Sequence, residues 1–159
     1  MGSAIGPAFD YLVANLPAQL QAVDSSVAVV DCWASELPDD VFVIGRAADA
    51  DAESALGTHA LTLLGGELVD EEFVIPCIID CFRGGDDQSE ARNAALAYFD
   101  AFVKFLASDR TLGGVLLNGR YARLDAIRID GSALADAPSG RRCVVQFSIR
   151  CQNQYNPFA

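Results

Sequence analysis

The stretch from Glu71 to Leu106 constrains this chain most, because its hydrophobic period changes from two to between three and four across a single turn. Phe73, Ile75, Cys77, Ile79 and Cys81 alternate with Val74, Pro76, Ile78, Asp80 and Phe82, so each set takes one face of a strand over 71–82. Both sets are fairly apolar, which predicts cover on both sides. Pro76 has no N–H for a neighbouring strand and predicts a sheet edge or a bulge there. Arg83-Gly84-Gly85-Asp86-Asp87 turns the chain, and Asp87 followed by Glu90 has the form of a capping box with Asp in the cap position. Beyond it, Ala91, Ala94, Ala95, Tyr98, Ala101, Phe102, Phe105 and Leu106 draw one broad apolar stripe. The alanines allow close approach to a sheet and the aromatics supply area. Ser108-Asp109-Arg110 and then Gly113-Gly114 end this helix.

The flanking segments supply the rest of a domain. Ile5, Phe9, Leu12, Leu16 and Leu20 recur at helical spacing, and Pro17 is expected to kink or end that helix. Apolar runs at 27–33 and 41–46, separated by turn chemistry around Pro38, predict a β-hairpin. Residues 47–58 are acidic and small, and predict an exposed loop. Residues 61–64 read as extended. After the helix, 120–129 alternates roughly and 142–152 alternates cleanly, with Cys143, Val145, Phe147, Ile149 and Cys151 on one side. Residues 153–159 read as a short tail. One domain over 1–159 is expected, of α+β class, with a mostly antiparallel sheet and helices packed on one face.

Charge and cysteine usage narrow the function. The net charge is −11, which disfavours a phosphate grip. Residues 1–100 hold 18 acids and 3 bases, whereas 101–159 hold 4 acids and 8 bases. Either the halves neutralise each other within one fold, or part of the basic half faces an acidic neighbour in an oligomer. Five cysteines with no CxxC pair and one histidine argue against a zinc site or a full disulfide framework, and for buried reduced thiols. No apolar stretch nears the ~20 residues of a bilayer span. The first residues lack the basic, then apolar, pattern of a secretory signal.

The search for chemistry is negative. Dinucleotide, P-loop and nucleophile-elbow motifs are missing. The pairs Asp39/Asp40, Glu71/Glu72 and Asp86/Asp87 stand beside turns, where carboxylates are usually solvated or act as caps. Asp49, Asp51 and Glu53 lack the glycine and final glutamate of an EF-hand. No enzyme activity and no cofactor are expected.

A family resemblance rests on the segment 71–114. Glu71-Glu72-Phe73-Val74-Ile75-Pro76-Cys77, the Gly84-Gly85-Asp86 turn, Ala91-Arg92 and Asp109-Arg110-Thr111-Leu112-Gly113-Gly114 occur in this order. That arrangement, with the final strand Val144-Val145-Gln146-Phe147-Ser148-Ile149-Arg150-Cys151, resembles the tail-terminator (tail-completion) proteins of long-tailed, siphovirus-type bacteriophages. The resemblance implies a lambda-type terminator fold and a homohexameric ring at the head-proximal end of the tail tube. Such a ring stops tube growth and joins tail to head. Its implied partners are further copies of itself, the major tail tube protein and the head–tail connector or neck proteins, with passing DNA not specifically bound and no membrane. The implied place is the neck region of the virion tail, after assembly in the host cytoplasm. Asp49, Asp51, Glu53, His59, Arg120, Arg123 and Arg128 are the candidate contact residues with a neighbour or the tube. Another neck or minor tail protein, or a small α+β ligand-binding or enzyme domain, are the alternatives.

Overall fold

The computed structural model describes residues 2–31, 38–45, 56–62, 68–85, 87–133 and 140–156. Its elements follow in the order α1 (Ile5–Gln21), β1 (Ala28–Asp31), β2 (Asp40–Ile44), β3 (Leu56–Thr62), β4 (Leu68–Arg83), α2 (Gln88–Ser108), β5 (Ala122–Ala133) and β6 (Arg141–Tyr155). The strands make one mixed, mostly antiparallel sheet in the order β1-β2-β4-β6-β5, with β3 also paired to β4. The fold is α+β.

β4 is the spine. One of its sides is zipped to β6 from Val69↔Tyr155 to Arg83↔Arg141. The other side is shared, with β2 taking Cys77 to Cys81 and β3 taking Leu68 to Val74. Pro76 falls in the gap between them. Its carbonyl accepts from the Gly45 N–H at 2.8 Å, so its nitrogen also points toward the β2/β3 side. β2 ends and β3 has not begun at that position, so the missing N–H falls at a break in the pairing on that side. A central strand thereby tolerates proline at a local edge.

β1 and β2 pair in parallel, from Ala28↔Val41 to Asp31↔Ile44, which corrects the expected hairpin. The residues around Pro38 have turn chemistry, but turn chemistry sets no strand direction. The connection over 32–39 spans up to ~27 Å when extended, ample to return along a four-residue strand. The loop expected at 47–58 also needs correction, because Leu56 to Thr58 already belong to β3, paired to Val74, Phe73 and Glu72. Residues 47–55 and 63–64 lie outside the described residues. The tail expected from Asn153 is instead the end of β6, which runs to Tyr155 because Asn153 is buried and bonded on both sides of its amide.

Both helices pack against the side of the sheet formed by the odd-numbered residues of β4, every one of which from Val69 to Cys81 is buried. α2 brings Tyr98, Phe102, Phe105 and Leu106 to it, and Asp87 caps the helix by accepting from Ser89 N–H at 2.8 Å rather than from Glu90. Phe147 of β6 is the hub of an aromatic cluster, 5.0 Å from Phe102, 5.2 Å from Phe99 and 5.8 Å from Phe42 between ring centres. Each such pair adds ~0.5–1.5 kcal/mol beyond its buried area. α1 runs on through Pro17 and does not end there. Leu16 and Leu20, both fully buried, flank the proline. Burial of each contributes ~2 kcal/mol, which together offset the ~3 kcal/mol cost of an interior proline. The four described cysteines, Cys77, Cys81, Cys143 and Cys151, are reduced thiols buried in this core, and burial pushes the Cys151 thiol up to about 12.

Two buried carboxylates pin the layers together, where sequence reading expected solvated or capping turn residues. Asp40 is 2% exposed and receives both guanidinium nitrogens of Arg83 and, at 2.7 Å, the Tyr98 hydroxyl of α2. Glu71, also 2% exposed, accepts from Ala4 N–H at 2.8 Å and Asn153 Nδ2 at 3.1 Å, and from the Ser3 hydroxyl. It thus caps the amino end of α1 from β4, where negative charge is favoured. Tyr98→Phe is expected to cost about 1 kcal/mol, one net buried hydrogen bond. Arg83→Ala is expected to cost about 3 kcal/mol by leaving a buried carboxylate without its cation. Urea denaturation at neutral pH checks both, and equal losses would count against the charge as the larger effect.

Candidate functional site

The face of the sheet opposite the helices carries a charge gradient across three strands. On β4 it presents Asp70, Glu72 and Asp80; on β6, Arg142, Gln146, Arg150, Gln152 and Gln154. Arg142 grips Asp80 through both of its donors, Nε to Oδ1 at 2.7 Å. Arg150 bridges Glu72 and Asp125, the latter at 3.0 Å. Gln154 donates to Asp70 at 2.9 Å and Gln152 to Glu72 at 3.3 Å. The Arg150 hydrogen bond, helped by Gln152, holds the Glu72 carboxyl below the usual carboxylate range, and Asp80 raises Arg142. These pairs are part-exposed, so solvent screens them and each adds little to stability. Their effect is on register and on the sign of the surface.

β5 carries charges of both signs, Arg123 and Arg128 with Asp125 and Asp130, so the gradient from β4 to β6 ends there. Ala122 pairs with Cys151 and Leu124 with Ile149, but Ile127 pairs with Phe147. β5 therefore carries one residue more than β6 over this step, a β-bulge. The insertion shifts the phase of alternation. Arg123, opposite Arg150, and Arg128, opposite Gln146, consequently share the open face although five residues separate them. Ile127 and Ile129 fall on the helix side, yet are 49% and 50% exposed, since they lie on the outermost strand. The opposite margin is acidic: Asp24, Asp31 and Asp39 are exposed around β1 and the start of β2, with Val23 46% exposed beside them. A polar cleft of about 530 Å³ opens there between Asp24, Ser26, Asp39, Asp40 and Arg83, whose guanidinium is already held by Asp40.

The candidate contact residues are placed unevenly. Arg120, in the turn before β5, bonds Asp70 at 3.1 Å with both partners well exposed. Arg123 and Arg128 are brought together on β5. His59 stands on β3 in register with Glu71, at the other side of the sheet from β5. Asp49, Asp51 and Glu53 lie outside the described residues. The exposed isoleucines were missed by sequence reading. Their signal was the break in alternation between Leu124 and Ile127, which marks a bulge and an edge. Of the eight bases in 101–159, Arg120, Arg142 and Arg150 are bonded to acids of the first hundred residues. Internal neutralisation thus accounts for the β4–β6 centre of the open face, and β5 holds as many acids as bases.

The Asp109-to-Gly114 turn has its own logic. Asp109 accepts from Thr111 N–H and hydroxyl at 3.0 and 2.7 Å, from Gly113 N–H at 2.7 Å, and from the Tyr11 hydroxyl of α1 at 3.0 Å. Leu112, Gly113 and Gly114 all have positive φ. A Cβ at Gly113 would sit 2.6 Å from the Tyr11 ring. The turn therefore locks the end of α2 against α1 and, with Ser3, Pro7, Val115 and Leu117, lines a cleft of about 260 Å³. Among the described residues no helix is long and apolar enough to cross a membrane, and no three His, Cys, Asp or Glu side chains cluster as metal ligands would. No protein-family model matches the chain, and no curated protein matches it.

The Thr111 hydroxyl first, then the Gly113 N–H and the Tyr11 hydroxyl, hold the Asp109 carboxyl below its ordinary 3.8. A carboxylate depressed by folding stabilises the fold fully above the unfolded value, and the contribution fades as pH falls through the folded one. Asp109→Asn should therefore lower the melting temperature at pH 7, and the difference should narrow at about pH 3, below the ordinary carboxylate value. Thermal melts of both proteins at the two pH values check this, and an equal gap at each would refute the role. Gly113→Ala should cost ~1–3 kcal/mol at any pH, from backbone strain and the Tyr11 clash.

Proposed function

We propose that this chain is a tail-terminator subunit of a long-tailed bacteriophage, with a lambda-type terminator fold. Six copies close into a ring at the head-proximal end of the tail tube. The ring ends tube polymerisation by covering the last layer of the major tail tube protein, and its far side receives the neck proteins. Its work is contact and not turnover, so it needs no cofactor.

One observation carries the reading: the sheet has unlike margins, with exposed isoleucines among charges of both signs at β5 and exposed aspartates around the short β1. A closed ring requires each subunit to offer two unlike surfaces that meet after a fixed rotation. The order of motifs from Glu71 to Gly114 supplies the phage assignment. The net charge of −11 suits a ring through which DNA passes without being held, since like charges repel.

Negative-stain imaging of the purified protein, alone and mixed with tail tubes, tests the proposal. Six-fold rings, and tubes capped at one end, are expected. Bare tube ends and single subunits throughout would refute it.

A further inference from the structure

We propose that the β5 edges of two copies pair antiparallel around a two-fold axis passing between positions 126 and 127, which joins two sheets into one. The outer side of β5 pairs with no strand among the described residues. The Ala122 N–H points to that side, where it donates to the Arg110 carbonyl at 2.8 Å. Backbone groups alternate in direction along an antiparallel strand. Those of Leu124, Ile127 and Ile129 point outward too, since each of these residues has an odd-numbered β6 partner, as Ala122 does. Exposed edges in natural proteins are blunted or covered, yet this one shows Ile127 and Ile129, each about half exposed.

The edge is its own complement. In this register Arg123 faces Asp130 of the second copy, Leu124 faces Ile129 and Asp125 faces Arg128, and the axis repeats each pair. Opposite charges directly across two strands stabilise the pairing, and like charges destabilise it. A slip of two positions one way would set Arg123 against Arg128, and the other way Asp125 against Asp130. The bulge makes the register possible. Residues that face each other across two strands lie on the same side of the sheet, and strict alternation would put Arg123 and Asp130 on opposite sides. With one extra β5 residue between Leu124 and Ile127, Arg123, Arg128 and Asp130 all pair with even-numbered β6 residues, and Asp125 meets Arg150 on that same face. Leu124 and Ile129 take the other phase together, so their outward groups can exchange main-chain hydrogen bonds. Asp125 already holds Arg150 at 3.0 Å, and Arg128 is not without a partner in its own chain. The contact needs matched signs and not vacant groups, because a carboxylate accepts, and a guanidinium donates, several hydrogen bonds.

The contact goes beyond the ring reading and does not depend on it, since a two-fold axis doubles whatever number the other contacts set. A charge exchange tests it. Asp125→Arg or Arg128→Asp paired with itself sets like charges across the axis twice, whereas the two variants mixed restore opposite signs at both places. Both positions are exposed, and circular dichroism checks that each variant folds. Arg123→Asp and Asp130→Arg form a second such pair and leave the Asp125–Arg150 bond in place. In native mass spectrometry the wild type should be an even-numbered assembly. Each variant alone should fall to half that number, and an equimolar mixture of a pair should regain it with both variants in equal share. A monomeric wild type, a variant that alone keeps the wild-type number, or a mixture that stays at half overturns the contact. Six copies for the wild type and for every variant sinks it and spares the ring. Two falling to one, with tube ends left bare in stained images, spares the contact and sinks the terminator reading. Twelve falling to six upholds both.

Discussion

The unbroken antiparallel ladder between β4 and β6 is the constraint on which the rest of the molecule depends. Its register fixes which residues face the helices, since a slip of one position would send every core side chain to the opposite face. With Val69↔Tyr155 at one end and Arg83↔Arg141 at the other, Phe73, Ile75, Cys77, Ile79 and Cys81 stand beside Val145, Phe147, Ile149 and Cys151 under α2. The same register puts Asp80 near Val144 and Arg142, and Glu72 near Gln152 and Arg150. Core and charged face are therefore two sides of one alignment. The arginine–carboxylate pairs on the open face add little stability, but a slipped register would leave them unmatched and would expose the aromatic core as well.

Buried carboxylates at opposite ends of that ladder tie the helices to it. Asp40 meets Arg83 and Tyr98 near the turn into α2, and Glu71 meets Ala4, Ser3 and Asn153 at the start of α1. Each joins groups from three elements or their flanks. Burial of a carboxylate is costly unless its oxygens are saturated, and here each draws its donors from two distant parts of the chain. The fit is therefore specific to one docking of the helices. Burial and the Asp40 charge keep the Tyr98 phenol protonated well above its usual range, so it remains a donor throughout neutral conditions. The Asp109 turn adds a third pin, from α2 to Tyr11, at an exposed site where the backbone geometry and not burial gives the specificity.

The elements legible in the sequence were those whose information is local. The alternation at 71–82 and the stripe from Ala91 to Leu106 recur as β4 and α2, because period and burial agree there. The direction of β1 against β2 was not legible, since it depends on where a sheet neighbour lies and not on the residues at Pro38. Nor were the roles of Asp40 and Glu71, whose partners Arg83 and Asn153 stand 43 and 82 positions away. A carboxylate beside a strand end looks solvated until its distant cation or amide is known. Arg123 and Arg128 could be picked as charged residues, but their common face required the extra β5 residue between Leu124 and Ile127. The exposure of Ile127 and Ile129 required knowing that β5 is the last strand of the sheet.

That bulge links the fold to the proposed assembly. Without the extra residue, strict alternation would set Arg123 and Arg128 on opposite faces of β5, and one of them would lie on the side where α2 packs. The insertion instead gathers the bases on the open face, continuous with Arg150, and leaves Ile127 and Ile129 together on the other. An edge strand sorted this way presents a charged row and an apolar row side by side. The charged row steers approach at long range, and the apolar row supplies area once water is excluded. At the far margin, β1 is a strand of only four residues bracketed by aspartates. A short acidic edge gives poor purchase to another copy of itself, so the two margins of the sheet differ in length as well as in chemistry.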